Sequence, residues 1–237
     1  MFKNFRAGLK QRRRLRDLER RLATLETRFP GYDWKPFRDV TLFFSDKSMS
    51  VLDEQAFLYR LATEAPPDAT AIEIGSWIGH STCILGVGLR GAKARIVAID
   101  AFSALSALPD ETSYYRKFLK GVSATSSQRA LFDAHLAHFG LQEKVTAIPA
   151  DSAGAIAKLP ADLPPADLLF IDGGHTLDVV RQDIRLYVPL VRSGGVVVFH
   201  DFSSTCGVPQ AVWEEIQRGT FRELVGIYAT LLAFRKV

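Results

Sequence analysis

Apolar positions along the chain change their period in a way that marks out its elements. Leu15, Leu18, Leu22, Leu25 and Phe29 recur in alternating steps of three and four, the stripe of a helix that stops before Pro30-Gly31. After a loop, residues 51–64 take up a helical period again, with Ser50 and Asp53 as the capping pair, and Pro66-Pro67 ends it. Beyond that point short, unbroken apolar runs alternate with helical stretches. The runs are "AIEIG", "ARIVAID", "VTAIPA", "ADLLFID" and "GVVVFHD"; the helices begin near His80, at "RALFDAHLAHFG" and at "LDVVRQDIRLYVPLV". In the last of these Val180, Ile184, Tyr187 and Val191 fall on one face, and Gly194-Gly195 close it. The final residues, "FRELVGIYATLLAFRKV", read as two strands around a short turn.

Unbroken apolar strands alternate with helices when a largely parallel sheet is covered on both faces. The expected fold is α/β and doubly wound: a Rossmann-like, mostly parallel seven-stranded sheet ending in a hairpin. The helix of residues 1–30 stands apart from the α/β domain of residues 31–237.

Composition changes this picture little. Of 237 residues, 47% are hydrophobic and 24% charged, as in an ordinary soluble domain. No apolar run approaches the roughly 20 residues of a membrane span, and no apolar core follows the basic N-terminus as a secretory signal would require. Cys83 and Cys206 stand far apart in no metal-ligand spacing, which suits free thiols in a reducing cytoplasm. Charge is more informative. Residues 1–28 hold ten Lys and Arg against three acids, a net +7, so the remainder of a chain with net charge +4 carries −3. The basic character therefore belongs to the first helix. That helix suits packing on its own domain or a homodimer. It also suits peripheral contact with an anionic membrane through Arg12–Arg16, with Phe2 and Phe5 dipping in. Nucleic acid is disfavoured, because no reading motif accompanies the charge.

In an open α/β sheet, ligands collect at the carboxyl ends of the strands, so the residues after each strand carry the chemistry. The first strand runs into "EIGSWIGHST", where Gly75 and Gly79 bracket a tight turn and Ser81 and Thr82 offer hydroxyls. Trp77 and Ile78 stand between the glycines, which departs from the G-x-G-x-x-G of dinucleotide binders. The second strand ends in Asp100, placed to accept hydrogen bonds from ribose hydroxyls. The third ends in "PADSAG", with Asp151 and Ser152. The fourth ends "FIDGGHT" and the fifth "VFHD". Each has a plainer reading: a glycine-capped turn, a solvated acid, a helix-capping histidine at 175, a structural pair at His200-Asp201. Asp172 is the hardest to read so, because an acid ending an apolar strand needs a partner. His135 and His138 read as surface or satisfied histidines.

Together these motifs resemble the class I S-adenosylmethionine-dependent methyltransferases. "EIGSWIGHST" matches their E/D-x-G-x-x-x-G loop and "IVAIDAF" their ribose-binding strand end; "IPADSAG" and the terminal hairpin agree, over roughly residues 50–237. The resemblance implies that Glu73 and Gly75 line the methionine side of S-adenosylmethionine, that Gly79 and Ser81 also bind this cofactor, that Asp100 holds the ribose, and that Asp151 and Ser152 border the adenine. "FIDGGHT...GGVVVFHD" is similar to the macrocin- and mycinamicin-type sugar O-methyltransferases, and more distantly to catechol O-methyltransferase. This implies a divalent cation (Mg or Mn) on Asp172, His200 and Asp201, with His175 as general base and Asp172 beside it in the catalytic site. His200 departs from the oxygen ligand usual there, and imidazole suits Mn²⁺, Fe²⁺ or Zn²⁺ better than Mg²⁺.

The chemistry is coherent on its own terms. A sugar hydroxyl must lose its proton as it attacks a methyl group, and a neutral imidazole can take it. Gly173 and Gly174 would leave room for a small-molecule or glycan substrate. Residues 101–130 are long for a βα connection, and Tyr114, Tyr115, Arg116 and Lys120 within them are candidates for substrate selection. Two other readings stay open: a nicotinamide-dependent oxidoreductase on a similar sheet, and a non-catalytic module held at a membrane by its basic helix.

Overall fold

The computed structural model describes residues 2–103, 127–203 and 205–237. Three helices come first: α1 (Phe2–Arg28), α2 (Lys35–Phe43) and α3 (Leu52–Glu64). The alternating part follows as β1 (Thr70–Ile74), α4 (His80–Gly88), β2 (Arg95–Asp100), α5 (Gln128–His138), β3 (Val145–Pro149) and the short α6 (Ser152–Ala155). It continues as β4 (Ala166–Ile171), α7 (Leu177–Tyr187), β5 (Val191–Phe199), α8 (Val208–Gln217), β6 (Phe221–Tyr228) and β7 (Leu231–Lys236). The seven strands form one sheet in the order β3-β2-β1-β4-β5-β7-β6. Strands β1 to β5 pair in parallel, and β7 runs antiparallel between β5 and β6. This is the doubly wound fold expected from the sequence.

The unbroken apolar runs have a simple cause. Successive side chains of a strand point to opposite faces, and here both faces are covered. Ala71, Ile96, Ala98, Leu168, Phe170 and Val198 pack with α2, α3 and α4 on one side; Ile72, Ile74, Val97, Ile99, Leu169 and Val197 pack with α7 and α8 on the other. Strand order reverses between β1 and β4, so the chains leaving these two strands diverge and open a crevice at their carboxyl ends.

Several boundaries differ from the sequence pattern. Residues 35–43, expected as loop, form α2, and α8 forms where no helix is expected. Both helices carry a proline in their first turn, where its missing N–H is no loss. Helix α3 is capped at Val51, whose N–H donates to Glu54 Oε2 at 2.9 Å, not by Ser50 and Asp53. Helix α7 ends at Tyr187. Gly194-Gly195 do not close it but lie inside β5, where the pairing register with β4 shifts between Ala166 and Leu168.

The leucine stripe of α1 docks on its own domain. Leu22 and Leu25 are buried in the same core as α2 and α3, and Leu18 and Phe29 pack against it. Glu26 accepts from Arg38 of α2 at 2.5 Å, and Trp34 Nε1 donates to the Phe29 carbonyl at 2.9 Å. Truncating Leu22 or Leu25 to Ala should therefore cost about 2–5 kcal/mol of stability, whereas Leu15→Ala should stay within about 1 kcal/mol. Denaturant unfolding of the three variants checks this; equal, small effects would mean that α1 does not belong to the folded core.

Candidate active site

The carboxyl ends of β1, β2, β4 and β5 open into a cavity of about 560 Å³. Gly75, Ser76, Trp77, Ser81, Asp100, Gln128 and Gly173 line one part of it; Asp172, His175, His200 and Asp201, with Glu54, line another.

At the first part, Gly75 takes φ +87°, and a Cβ there would lie 2.1 Å from the Asp172 carbonyl oxygen. Only glycine lets β1 and β4 end this close together. Its N–H donates to the Ile99 carbonyl at 2.8 Å, and the Asp172 N–H donates to Ile74 at 2.8 Å. Gly79, at φ +90°, is the N-cap of α4. Glu73 is fully buried below this turn and accepts from the Thr82 hydroxyl. Burial pushes its carboxyl up to about 7, against the lowering effect of the Ser81, Thr82 and Ser76 hydroxyls.

Asp100 is already engaged. Its Oδ2 accepts from the Trp77 N–H at 2.8 Å; its Oδ1 accepts from the Phe102 N–H at 2.6 Å and from Gln128 Nε2 at 3.0 Å. The Ser76 backbone also donates toward this carboxylate, so the chain's own donors fix its orientation at the cavity wall. Trp77 and Phe102 hold φ of +49° and +50°, a strained setting for bulky residues, and both N–H groups point at Asp100 as a result. Asp151 and Ser152 do not line the cavity. Asp151 Oδ1 caps α6 by accepting from Gly154 at 2.6 Å, and the Ser152 carbonyl accepts from Tyr187 at 2.5 Å.

At the second part, the Ile171↔Phe199 pairing sets Asp172 beside His200 and Asp201. His200 Nδ1 lies 3.1 Å from Asp172 Oδ1 and 3.3 Å from Asp201 Oδ2, and its Nε2 lies 3.4 Å from Glu54 Oε2. His175 Nε2 lies 2.9 Å from Asp201 Oδ2. Burial disfavours a charge on His200, but Asp172, Asp201 and Glu54 outweigh it and push its pKa up to about 12. The two imidazoles in turn hold Asp201 well below the carboxylate range, while burial raises Asp172. The Asp201 hydrogen bond raises His175 above its ordinary value. Asp201 itself sits at φ +54°.

Sequence pattern does not single out Glu54. It is buried on α3, and its Oε1 accepts from the Thr230 N–H and hydroxyl at 2.8 and 2.7 Å, fastening α3 to the turn of the terminal hairpin. An acid in the first turn of a helix reads as a cap, which Glu54 also is; nothing in the sequence reveals that α3 crosses the strand ends. Gln128, Lys47 and Ser50 are hidden for the same reason. Of the two glycines after Asp172, Gly173 lines the cavity. A Cβ at Gly173 would lie 3.1 Å from the Ile74 side chain, and one at Gly174 would meet the side chain of the exposed Val179 at 2.7 Å. His135 is satisfied as expected, with Nδ1 2.7 Å from the Ile78 carbonyl oxygen, and His138 stacks on Phe43. Tyr114, Tyr115, Arg116 and Lys120 lie outside the described residues.

A family model described as a methyltransferase domain matches residues 72–202, more than half of the chain. The chain belongs to this family. The fold of the methyltransferase is also that of the SAH-bound methyltransferase PaMTH1 from Podospora anserina, with TM-score 0.59 and 14% identity over 94% of this chain and 96% of that one. An O-methyltransferase from Bacillus cereus in complex with SAH gives TM-score 0.56 and 14% identity over 90% and 96%. The uncharacterized protein R132 of Acanthamoeba polyphaga mimivirus is 35% identical over 72 residues, 26% of this chain; the match spans about a third of that relative, 33%. Trp77, lining the cavity of the methyltransferase where a dinucleotide fingerprint needs glycine, leaves the oxidoreductase reading without support.

A divalent cation fits the acid–imidazole cluster. Donor atoms of Asp172, His175 and Asp201 lie within 4.8 Å of one another. His200 Nδ1, buried and close to two carboxylates, makes no aligned hydrogen bond. Ligands about 2.1 Å from an ion stand about 3 Å apart, which is the spacing of this nitrogen from both acids. Two carboxylates with imidazole suit a borderline ion better than Mg²⁺.

Glu73 yields a pH prediction for the cofactor-free methyltransferase. Between pH 4.5 and about 7 the unfolded chain releases a proton that buried Glu73 retains, so stability falls as pH rises through that window. Glu73→Gln should abolish this fall and melt above the parent protein at pH values over 7, measured by thermal unfolding without cofactor. An unchanged gap between the two proteins across the window would show that Glu73 ionises normally.

Proposed function

We propose that this methyltransferase-domain protein transfers a methyl group from S-adenosylmethionine to a hydroxyl of a sugar, glycan or glycosylated metabolite, with a divalent cation assisting. The observation that carries the reading is a single cavity. It joins the Gly75–Asp100 turn, suited to a nucleoside, to a cluster of acids and imidazoles suited to a hydroxyl. When bound, the cofactor supplies a methyl group on a positively charged sulfur. Asp100 accepts a ribose hydroxyl, while Trp77, Phe102 and Gln128 keep it oriented. The carboxylates of the cavity favour a cationic ligand over an anionic one.

His175 takes the proton of the attacking hydroxyl. Its Nε2–H donates to Asp201, which fixes the tautomer and leaves Nδ1 as the accepting atom. Asp201 also raises the basicity of that nitrogen. Asp172, Asp201 and His200 are the residues that would hold the ion, which would lower the pKa of a hydroxyl beside it. The sugar class of acceptor rests on the likeness of "FIDGGHT...GGVVVFHD" to the sugar O-methyltransferases.

Titration calorimetry with S-adenosylmethionine should show binding that Asp100→Ala weakens by at least about tenfold, the scale of one lost charged hydrogen bond. No heat of binding, with or without Mn²⁺, would remove the reading. His175→Ala should abolish methyl transfer yet retain both cofactor and Mn²⁺ affinity. If Mn²⁺ affinity falls with it, His175 is a ligand and not the base.

A further inference from the structure

Helix α1 is more than a strut. It is 27 residues long, about 40 Å at 1.5 Å per residue, and among its residues 12–28 only Leu22 and Leu25 near its end are buried. Arg12, Arg13, Arg16 and Arg20 are exposed, and among the described residues none of them is within ion-pair distance of an acid. At about 100° per residue these four arginines fall within one sector of roughly 100°, centred about 150° from the stripe of Leu15, Leu18, Leu22, Leu25 and Phe29. The stripe docks on the domain, so the arginine sector faces away from it.

In the sequence, positions 2, 5 and 9 (Phe2, Phe5 and Leu9) recur at the same helical period as the arginine positions. The acids of the helix, Asp17, Glu19 and Glu26, all project outside the arginine sector. One line along α1 is therefore apolar at its start and cationic further on, with no acid. A helix needs no such line to dock on its own domain, because the leucine stripe already does that.

We propose that this line seats the protein on an anionic lipid surface. Aromatic and aliphatic residues beside arginines suit a headgroup boundary, where the apolar groups enter and the guanidinium groups meet phosphates. Nucleic acid would use the charge but not the apolar start of the line. The remainder of the chain, at net −3, is repelled by such a surface, so attachment is confined to α1 and fixes which side of the molecule faces the lipid. Helix α2, tied to α1 through Arg38–Glu26, leads into Lys47, Met49 and Ser50 of the cavity wall, and Met49 is itself exposed. No helix among the described residues is long and apolar enough to cross a membrane, so the contact is peripheral.

Flotation of the full chain with vesicles tests this, using phosphatidylcholine alone and phosphatidylcholine with phosphatidylglycerol. The protein should float only with the anionic vesicles, and high salt should release it. Arg12→Gln, Arg13→Gln, Arg16→Gln and Arg20→Gln combined should weaken binding by at least about tenfold, and Phe2→Ser with Phe5→Ser should weaken it measurably. A control set on the body with the same charge change, Arg90→Gln, Lys93→Gln, Arg185→Gln and Arg222→Gln, should float like the parent. Calorimetric cofactor binding should be equal in all four proteins, which separates this inference from the methyl-transfer reading. Failure to float with anionic vesicles, or equal losses in both arginine sets, overturns the proposal. So does binding to an RNA or DNA oligonucleotide that survives when vesicle binding does not occur.

Discussion

Negative charge held out of water is the constraint on which the site depends. Glu54, Asp100, Asp172 and Asp201 face one cavity, and Glu73 lies buried directly beneath it. Carboxylates so placed must be neutralised, hydrogen-bonded or protonated. The structure uses all three: His200 and His175 answer Asp201, the donors of Trp77, Phe102 and Gln128 answer Asp100, and burial pushes Glu73 up to about 7. The same constraint explains why a cationic ligand and a metal ion suit the cavity. Each would take over charge compensation that His200 otherwise provides as an imidazolium.

This compensation also holds distant parts of the chain together. Glu54 receives Val51, Thr230 and His200, so α3, the terminal hairpin and the end of β5 meet at one carboxylate. On the other side Gly75 lets β1 and β4 end in backbone contact, which brings Asp172 to the edge of the nucleoside half. The left-handed backbone at Trp77, Phe102 and Asp201 marks where the chain bends to aim donors or a carboxylate into the cavity.

Much of this arrangement is legible in the order of residues alone. An apolar run that stops at an acid announces both a strand and its carboxyl end, which is why the sequence places Asp100, Asp172 and Asp201 together. Residues outside the strand–helix alternation carry no such mark. Glu54 wears the signature of a helix cap, Gln128 follows a segment with no clear period, and α2 and α8 begin with prolines. Asp151 earns its expected role by its position after a strand, yet its oxygen serves α6. Gly173 and Gly174 suggest space for a substrate, and of the two Gly173 lines the cavity. Local pattern carries element type and order; it does not carry which distant side chain arrives opposite.

On the proposed function, one cavity sets a nucleoside-bearing methyl donor against the Asp172–His175–Asp201 cluster. A crystal structure with S-adenosylhomocysteine tests it most directly. The expected density places a ribose hydroxyl on Asp100 with Gln128 still in place, and the sulfur atom turned toward His175 and Asp172. Density for the ligand elsewhere, or a sulfur atom facing away from the cluster, would contradict it.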